Sequence, residues 1–353
     1  MTRIAAVAPV LPEFAYSQAE ITAELAPLIS SVPGKRAVLE RMHASSGIAT
    51  RHTALPLERY RDLGTFRQSN DIFIEVATDL AERALRTALA SAGLEAPDVD
   101  FVMFTSVTGI SAPSIDALLV SRLGLRPDVK RLPSFGLGCV GGAAGLARVN
   151  DYLVGHPDQV GVLLSVELCS LTLQRDDETI ANFVATGLFG DGATAVVLVG
   201  DERSGDERGE PGIRIADTRS GFYPDTTDVI GWHVGGSGFE IVLTAGVADV
   251  IEKHFPDEVA AFLADNGMGI ADVAAWVAHP GGPRVLEAFA RALDVPTTAF
   301  EKSWASLDRV GNLSSSAVLH VLADMWEQPA GARGLLFALG PGVSAEFVLL
   351  EWP

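Results

Sequence analysis

Cysteine is nearly absent: Cys139 and Cys169 are the only two in 353 residues. That count excludes a disulfide framework and a thiolate zinc site. Basic residues are also scarce, 26 Lys and Arg against 45 Asp and Glu, for a formal net charge of −19. This balance argues against a nucleic-acid or membrane partner, while leaving room for a local basic patch facing a phosphorylated ligand. No apolar run reaches the roughly 18 residues of a membrane span. The opening "MTRIAAVAPVLPEF" has two prolines and no signal-peptide core, so a cytoplasmic location is expected by default. What is present is ordinary globular composition, 48% hydrophobic and 20% charged. The length calls for one large domain or two closely packed halves.

The pattern along the chain is a duplication. "SNDIFIEVATDLAERALRTALASAGL" has apolar residues at i, i+3 and i+4 and predicts a long amphipathic helix. "DVDFVMFTSVTG" predicts a buried strand and "SIDALLVSRLGL" a helix. A glycine turn, the small-residue helix "VGGAAGLARVNDYLV" and the strand "QVGVLLSVE" follow, and "GLFGDGATAVVLVG" closes the half. The charged run 201–212, "DERSGDERGEPG", predicts a surface connection. In the second part "DVAAWVAHPGG", "RVGNLSSSAVLHVLADMWE" and "ARGLLFALGPGVSAEFVLLEW" repeat the order, with Asn312 near the place of Cys139. The expected architecture is α/β, two similar halves (1–200 and 213–353) related by a pseudo-two-fold axis, with Cys139, His279 and Asn312 converging between them.

"FGLGCVGGAAG" (135–145) admits two readings. Gly136, Gly138 and Gly141 spell G-x-G-x-x-G, and Glu167 lies near the distance of the acidic residue in a dinucleotide fingerprint. "KRLPSFGLG", however, is a poor parallel-strand core, with Pro133 and Ser134 where aliphatics belong. The nucleophile reading explains more residues. A cysteine at a helix N-terminus faces free N–H groups and the positive dipole end, and an adjacent His would pair with the thiolate and lower its pKa. His279 ends an apolar strand before "PGG" and is the candidate. His43, His52, His156, His254 and His320 read as solvated or hydrogen-bonded side chains, and His233 is unassigned. Asn312 alone would be a helix cap; its place in the repeat makes it the third member.

At Cys139, His279 and Asn312 the sequence resembles the type III polyketide synthases, the chalcone-synthase superfamily. The matching stretches are "GCVGG" (138–142), "GLFGDGA" (187–193), "HPGGP" (279–283), "GNLSSS" (311–316) and "GPG" (340–342), in order across nearly the whole chain. The resemblance implies a thiolase-like fold and a homodimer. It also implies iterative decarboxylative condensation of a malonyl-CoA-type extender onto an acyl-CoA starter held on Cys139, with no metal or redox cofactor. Cyclisation to a resorcinol, pyrone or related aromatic would follow. His279 and Asn312 would hold the enolate oxygen.

Phe189 and Phe239 match the gatekeeper phenylalanines, and Arg41 matches a CoA-phosphate contact, with Val38 and Ser45 replacing lysines usual in plant members. Cys169, Thr172, Glu167, Ser314 and Ala112 fall on substrate-cavity positions. Cys169 stands for a Thr, Val107 for a Thr and Ala112 for a Met of the plant enzymes. Val107 would remove a hydroxyl from a water network with Glu167 and Ser314. "DVIGWHVGGSGFEIVL" looks more like bacterial alkylresorcinol and alkylpyrone synthases, which implies a lipid-accepting cavity. Competing readings are a β-ketoacyl-ACP synthase III-like single condensation, which expects "QAN" rather than "PGG" after the His; a Cys hydrolase, whose elbow fails at Leu137; and a non-catalytic scaffold.

Overall fold

The computed structural model describes residues 2–203 and 212–353, so most of the connection expected at 201–212 lies outside the described residues. The strands among them are β1 (Thr2–Val10), β2 (Phe14–Ser17), β3 (Thr50–Thr53), β4 (Phe101–Thr105), β5 (Lys130–Ser134), β6 (Val160–Leu168) and β7 (Asp191–Val199). They continue with β8 (Ile213–Phe222), β9 (Ile230–Gly235), β10 (Gly238–Leu243), β11 (Ala275–Ala278), β12 (Arg333–Gly340) and β13 (Ser344–Glu351). Nine form one sheet in the order β11-β12-β13-β8-β1-β7-β6-β4-β5, and β2/β3 and β9/β10 form separate pairs.

The duplication is written into that order. From β1 outward come β7, β6 and β4; from β8 outward come β13, β12 and β11. At the centre β1 and β8 pair antiparallel with Arg3 opposite Arg214. These two arginines open the repeated tripeptides Arg3-Ile4-Ala5 and Arg214-Ile215-Ala216, so the pseudo-two-fold axis passes beside this pair.

Alternation along the strands makes the layers. In β4, Val102 and Phe104 join the outer core with Leu80, Ala84 and Ala88 of helix Phe66–Ser91. Phe101 and Met103 join an inner core with Ala143, Leu146 and Val149 of helix Gly141–Val154. Helix Ala317–Asp324 shares that inner core, against Leu336 of β12 and Val348 of β13. Helices Gly246–Asp265 and Pro283–Leu293 cover the outer face of the second half through Phe255, Phe262 and Phe289. Each such buried large side chain contributes about 1.5–3 kcal/mol. The result is outer helices over each half of the one sheet and the paired central helices on its shared inner face: the thiolase-like α/β fold.

Two local expectations are corrected. The long helix starts at Phe66, because Thr65 and Gln68 form a capping box upstream of the apolar stripe. "KRLPS" is a strand after all, β5, parallel to β4. It lies at the sheet edge with Lys130, Arg131, Leu132 and Pro133 exposed, where a proline costs no ladder bond on its open side.

Candidate active site

Cys139 is held by two close approaches. Gly138 takes φ +58, and a Cβ there would sit 2.5 Å from Pro341 Cδ. One residue later the chain makes a 3-10 turn, Gly138–Val140, that runs into helix Gly141–Val154. That helix lies so close to the other half that a Cβ on Gly142 would be 2.2 Å from the Ser315 carbonyl oxygen. The small residues of "GCVGGAAG" therefore let the two central helices meet and set Cys139 in the seam.

The second half repeats this geometry three residues later than expected. Ser314 takes φ +50, and the turn Ser314–Ser316 leads into helix Ala317–Asp324. Gly138 thus corresponds to Ser314, and the counterpart of Cys139 is Ser315, not Asn312. Asn312 precedes the turn and ties the site together instead. Its Nδ2 donates to the Gly281 carbonyl at 3.1 Å, its Oδ1 accepts from Ser314 N–H at 2.9 Å, and its own N–H donates to Leu188 O. The Cys139 sulfur lies 3.7 Å from Ser314 Oγ.

His279 follows the last residue of β11, its N–H donating to Phe337 O at 3.0 Å and its carbonyl accepting from Gly281 N–H. The turn His279–Pro280–Gly281 is thereby bonded to Asn312, Asn312 to Ser314, and Ser314 to Cys139. The imidazole Nδ1 is buried without a hydrogen-bond partner.

Electrostatics in the seam is governed by burial. Burial pushes the Cys139 thiol up to about 12, opposed by the Ser314 hydrogen bond and reinforced by Glu167. Burial pulls His279 down to about 3. Desolvation in the closed seam thus works against the expected thiolate–imidazolium pair and opposes the help of the helix start.

Glu167 is fully buried and held near 6 by desolvation. It accepts from Thr108 Oγ1 at 2.9 Å, from Val107 N–H at 3.1 Å and from the Ser315 hydroxyl. The network expected between Glu167 and Ser314 is corrected accordingly. Ser315 bonds Glu167, Ser314 bonds Cys139, and Thr108 supplies a hydroxyl beside the one Val107 lacks. Neither Thr108 nor Ser315 was singled out from sequence, although "GNLSSS" pointed to the serine run.

Cys139 opens on a cavity of about 330 Å³ that it lines with Val107, Cys169, Phe189, Trp232 and Ser314. A second chamber shares Cys169, Phe189, Trp232 and Ile241 with the first and adds Thr172, whose Oγ1 donates to Cys169 O at 2.8 Å. Phe239 is buried, stacked edge-on against Phe66 at 5.2 Å and beside Trp232 at 6.2 Å, behind the pocket lining. One expected cavity residue is not brought in. Ala112 is exposed on the loop after β4 and lines neither cavity, so its small side chain opens no volume in its own chain. Arg41 is exposed in the last turn of helix Pro33–Ala44 and lines neither cavity, a surface position that a contact to a CoA phosphate can have. The dinucleotide alternative has its strand and helix, yet puts a buried thiol at the turn where a pyrophosphate would need backbone N–H groups.

Comparison with known proteins agrees with this geometry. Residues 3–202 match the chalcone and stilbene synthases' N-terminal domain and residues 214–352 their C-terminal domain. The chain is 51% identical to the 1,3,6,8-tetrahydroxynaphthalene synthase of Streptomyces peucetius subsp. caesius, over 99% of this chain and 93% of that protein. It is 31% identical to the "Alpha-pyrone synthesis polyketide synthase-like Pks18" of Mycobacterium tuberculosis, over 90% and 83% respectively. Among solved structures, the 1,3,6,8-tetrahydroxynaphthalene synthase of Streptomyces coelicolor A3(2) superposes with a TM-score of 0.92 at 29% identity, covering 100% of this chain and 99% of that one. PKS-I of the brown alga Ectocarpus siliculosus gives 0.93 at 27%, covering 100% and 98%. With a buried cysteine, a strand-end histidine and an amide joined across two equivalent halves, the chain belongs to the chalcone and stilbene synthase family and is a type III polyketide synthase.

Proposed function

We propose that Cys139, His279 and Asn312 perform the condensation, and that the product is a polyhydroxylated aromatic of the tetrahydroxynaphthalene type built from malonyl units. The observation that carries the residue roles is the bonded chain from the His279 turn through Asn312 and Ser314 to Cys139. His279 holds the thiol proton as Cys139 attacks the starter thioester, and coenzyme A thiolate leaves. When malonyl-CoA follows, its carboxyl C–C bond breaks, CO₂ departs, and the electron pair becomes an enolate. His279 N–H and the Asn312 Nδ2 hydrogen not given to Gly281 are the donors for that oxyanion. The enolate carbon attacks the acyl-Cys139 carbonyl and expels the Cys139 thiolate, leaving a chain longer by two carbons on CoA. No metal or redox cofactor enters this scheme.

The 51%-identical relative supports the product class, since hydroxyls on alternate ring carbons are what head-to-tail joining of two-carbon units leaves. A pyrone from a fatty acyl starter is the second reading, favoured by the apolar surface of the chamber behind Cys169 and by the relative named for α-pyrone synthesis. Mass spectrometry of products from malonyl-CoA alone, and with a panel of acyl-CoAs, separates them. A naphthalene from malonyl-CoA alone supports the first, and products formed only with long starters overturn it.

A homodimer and a cytoplasmic location belong to the same proposal. The exposed edge strand β5, with Leu132 45%, Ile110 46% and Phe135 50% exposed around it, supports pairing of two copies there. Among the described residues no helix is long and apolar enough to cross a membrane. Light scattering of the purified protein, and of a Leu132→Lys variant, tests the dimer; a monomeric wild type would overturn it.

A further inference from the structure

The second chamber contains a charge that the condensation chemistry does not use. Arg51, on β3, is 4% exposed and lines this chamber but not the Cys139 cavity. Its Nε donates to Gln18 Oε1 at 2.9 Å and its Nη1 to the Phe189 carbonyl at 2.6 Å. Its Nη2 is buried and has no partner. An unpaired donor on a buried guanidinium is costly, so a group that completes it should bind well.

The surroundings say what kind of group. Asp191 acts on Arg51 electrostatically, yet its oxygens are taken by Ala54 N–H, Ser170 N–H and the Ser170 hydroxyl. A carboxylate is thus already close enough to balance the cation without hydrogen-bonding it. The missing partner need not be a second anion; a carbonyl or enol oxygen suffices. The other polar side chains of the wall, Thr53, Ser170, Thr172, Gln174, Asn182 and Thr186, give their donors to protein acceptors, and Ile21, Leu25, Leu173 and Ala185 supply apolar surface. A wall of mixed character whose uncommitted side-chain donor is on Arg51 fits a chain that carries oxygens at intervals.

We infer that Arg51 Nη2 binds a ketone or enol oxygen near the far end of the elongating β-polyketone chain, which grows past Cys169 into the second chamber. The inference rests on the iterative-condensation reading of Cys139. Arg51 touches no reacting atom; it is a specificity-determining residue that favours long chains over early release. Because Nη1 holds the carbonyl of Phe189, a residue common to both cavities, occupancy of the chamber is linked to the wall of the Cys139 pocket.

The test compares products of malonyl-CoA for wild type, Arg51→Met, Arg51→Lys and Ala185→Leu. Ala185 lines the second chamber and not the Cys139 cavity, so the last variant fills space and leaves the Arg51 partners alone. The ratio of full-length product to short lactones should fall about 10-fold in Arg51→Met, as for loss of one charge-assisted hydrogen bond. It should recover partly in Arg51→Lys and fall in Ala185→Leu. An unchanged length distribution in folded Arg51→Met overturns the inference. Should both Arg51 variants fail to fold, 2,4-pentanedione is the probe. It should bind wild type and bind Ala185→Leu about 10-fold more weakly, and equal binding to the two, or none to wild type, overturns the inference. If wild type makes no chain-extended product with any acyl-CoA, the condensation reading itself fails.

Discussion

The Cys139 sulfur lies 3.7 Å from the Ser314 hydroxyl oxygen, and the two residues come from opposite halves of a duplicated chain. This contact is the local influence that favours the thiolate against a burial that pushes the thiol up to about 12. Ser314→Ala is expected to slow iodoacetamide alkylation of Cys139 by about fivefold at neutral pH, the worth of one ordinary hydrogen bond. The rate in wild type should still be rising as pH passes 9. A plateau below pH 7 would show that the thiolate is the resting form.

Cys139→Ala should abolish both acyl labelling and chain extension. Cys169 is also buried, and its thiol is pushed well above the ordinary range by burial and by Glu167, so it should take no label. Peptide mass spectrometry after incubation with an acyl-CoA checks this, and label confined to Cys169 would reverse the assignment.

Asn312→Ala removes one oxyanion donor, and release of CO₂ from malonyl-CoA should slow by about 10²–10³-fold while Cys139 still acylates. Asn312→Asp keeps the acceptor for Ser314 N–H but loses the donor to Gly281. It should decarboxylate no faster than the alanine variant. Wild-type rates in either variant would leave Asn312 a tie between loops.

Glu167 is held near 6 in the folded chain, above the ordinary glutamate value. A raised carboxyl pKa means that the folded state binds the proton more tightly than the unfolded state. The stability this gives is complete well below pH 4.5 and is lost as pH rises through 6. Relative to Glu167→Gln, wild type should therefore lose about 2 kcal/mol in all, from well below pH 4.5 to well above pH 6. Thermal melts of both proteins across that window measure the difference, and a constant difference would contradict the assignment.

Cys169 is on the wall shared by the two cavities. Cys169→Phe should lower the longest acyl-CoA starter accepted, each excluded CH₂ forfeiting about 0.8 kcal/mol. Ala112 is exposed in its own chain, so Ala112→Met should change that limit only where a second copy of the chain brings this loop to its pocket. Kinetics over a starter series reads both outcomes.

Much of this was legible beforehand for a local reason. Strand and helix periods, the glycines around Cys139 and the serine run after Asn312 are properties of short segments, and their repetition revealed two equivalent halves. Side-chain types that suit acyl transfer could be named because chemistry restricts them to few candidates: two cysteines and seven histidines in the whole chain.

What only the tertiary structure decided was which groups meet, and in what dielectric. The left-handed Ser314, matching Gly138, moved the true counterpart of Cys139 from Asn312 to Ser315. Thr108 and Ser315 reach Glu167 from segments 59 and 148 residues away. Ala112 ended on the surface of its own chain despite matching a cavity position. The upward push on the Cys139 thiol, the downward pull on His279 and the unpaired Arg51 nitrogen follow from burial by both halves. The sequence determines that these groups exist; only the closed fold removes the water that would otherwise satisfy them, and desolvation then decides their charge and their need for a partner.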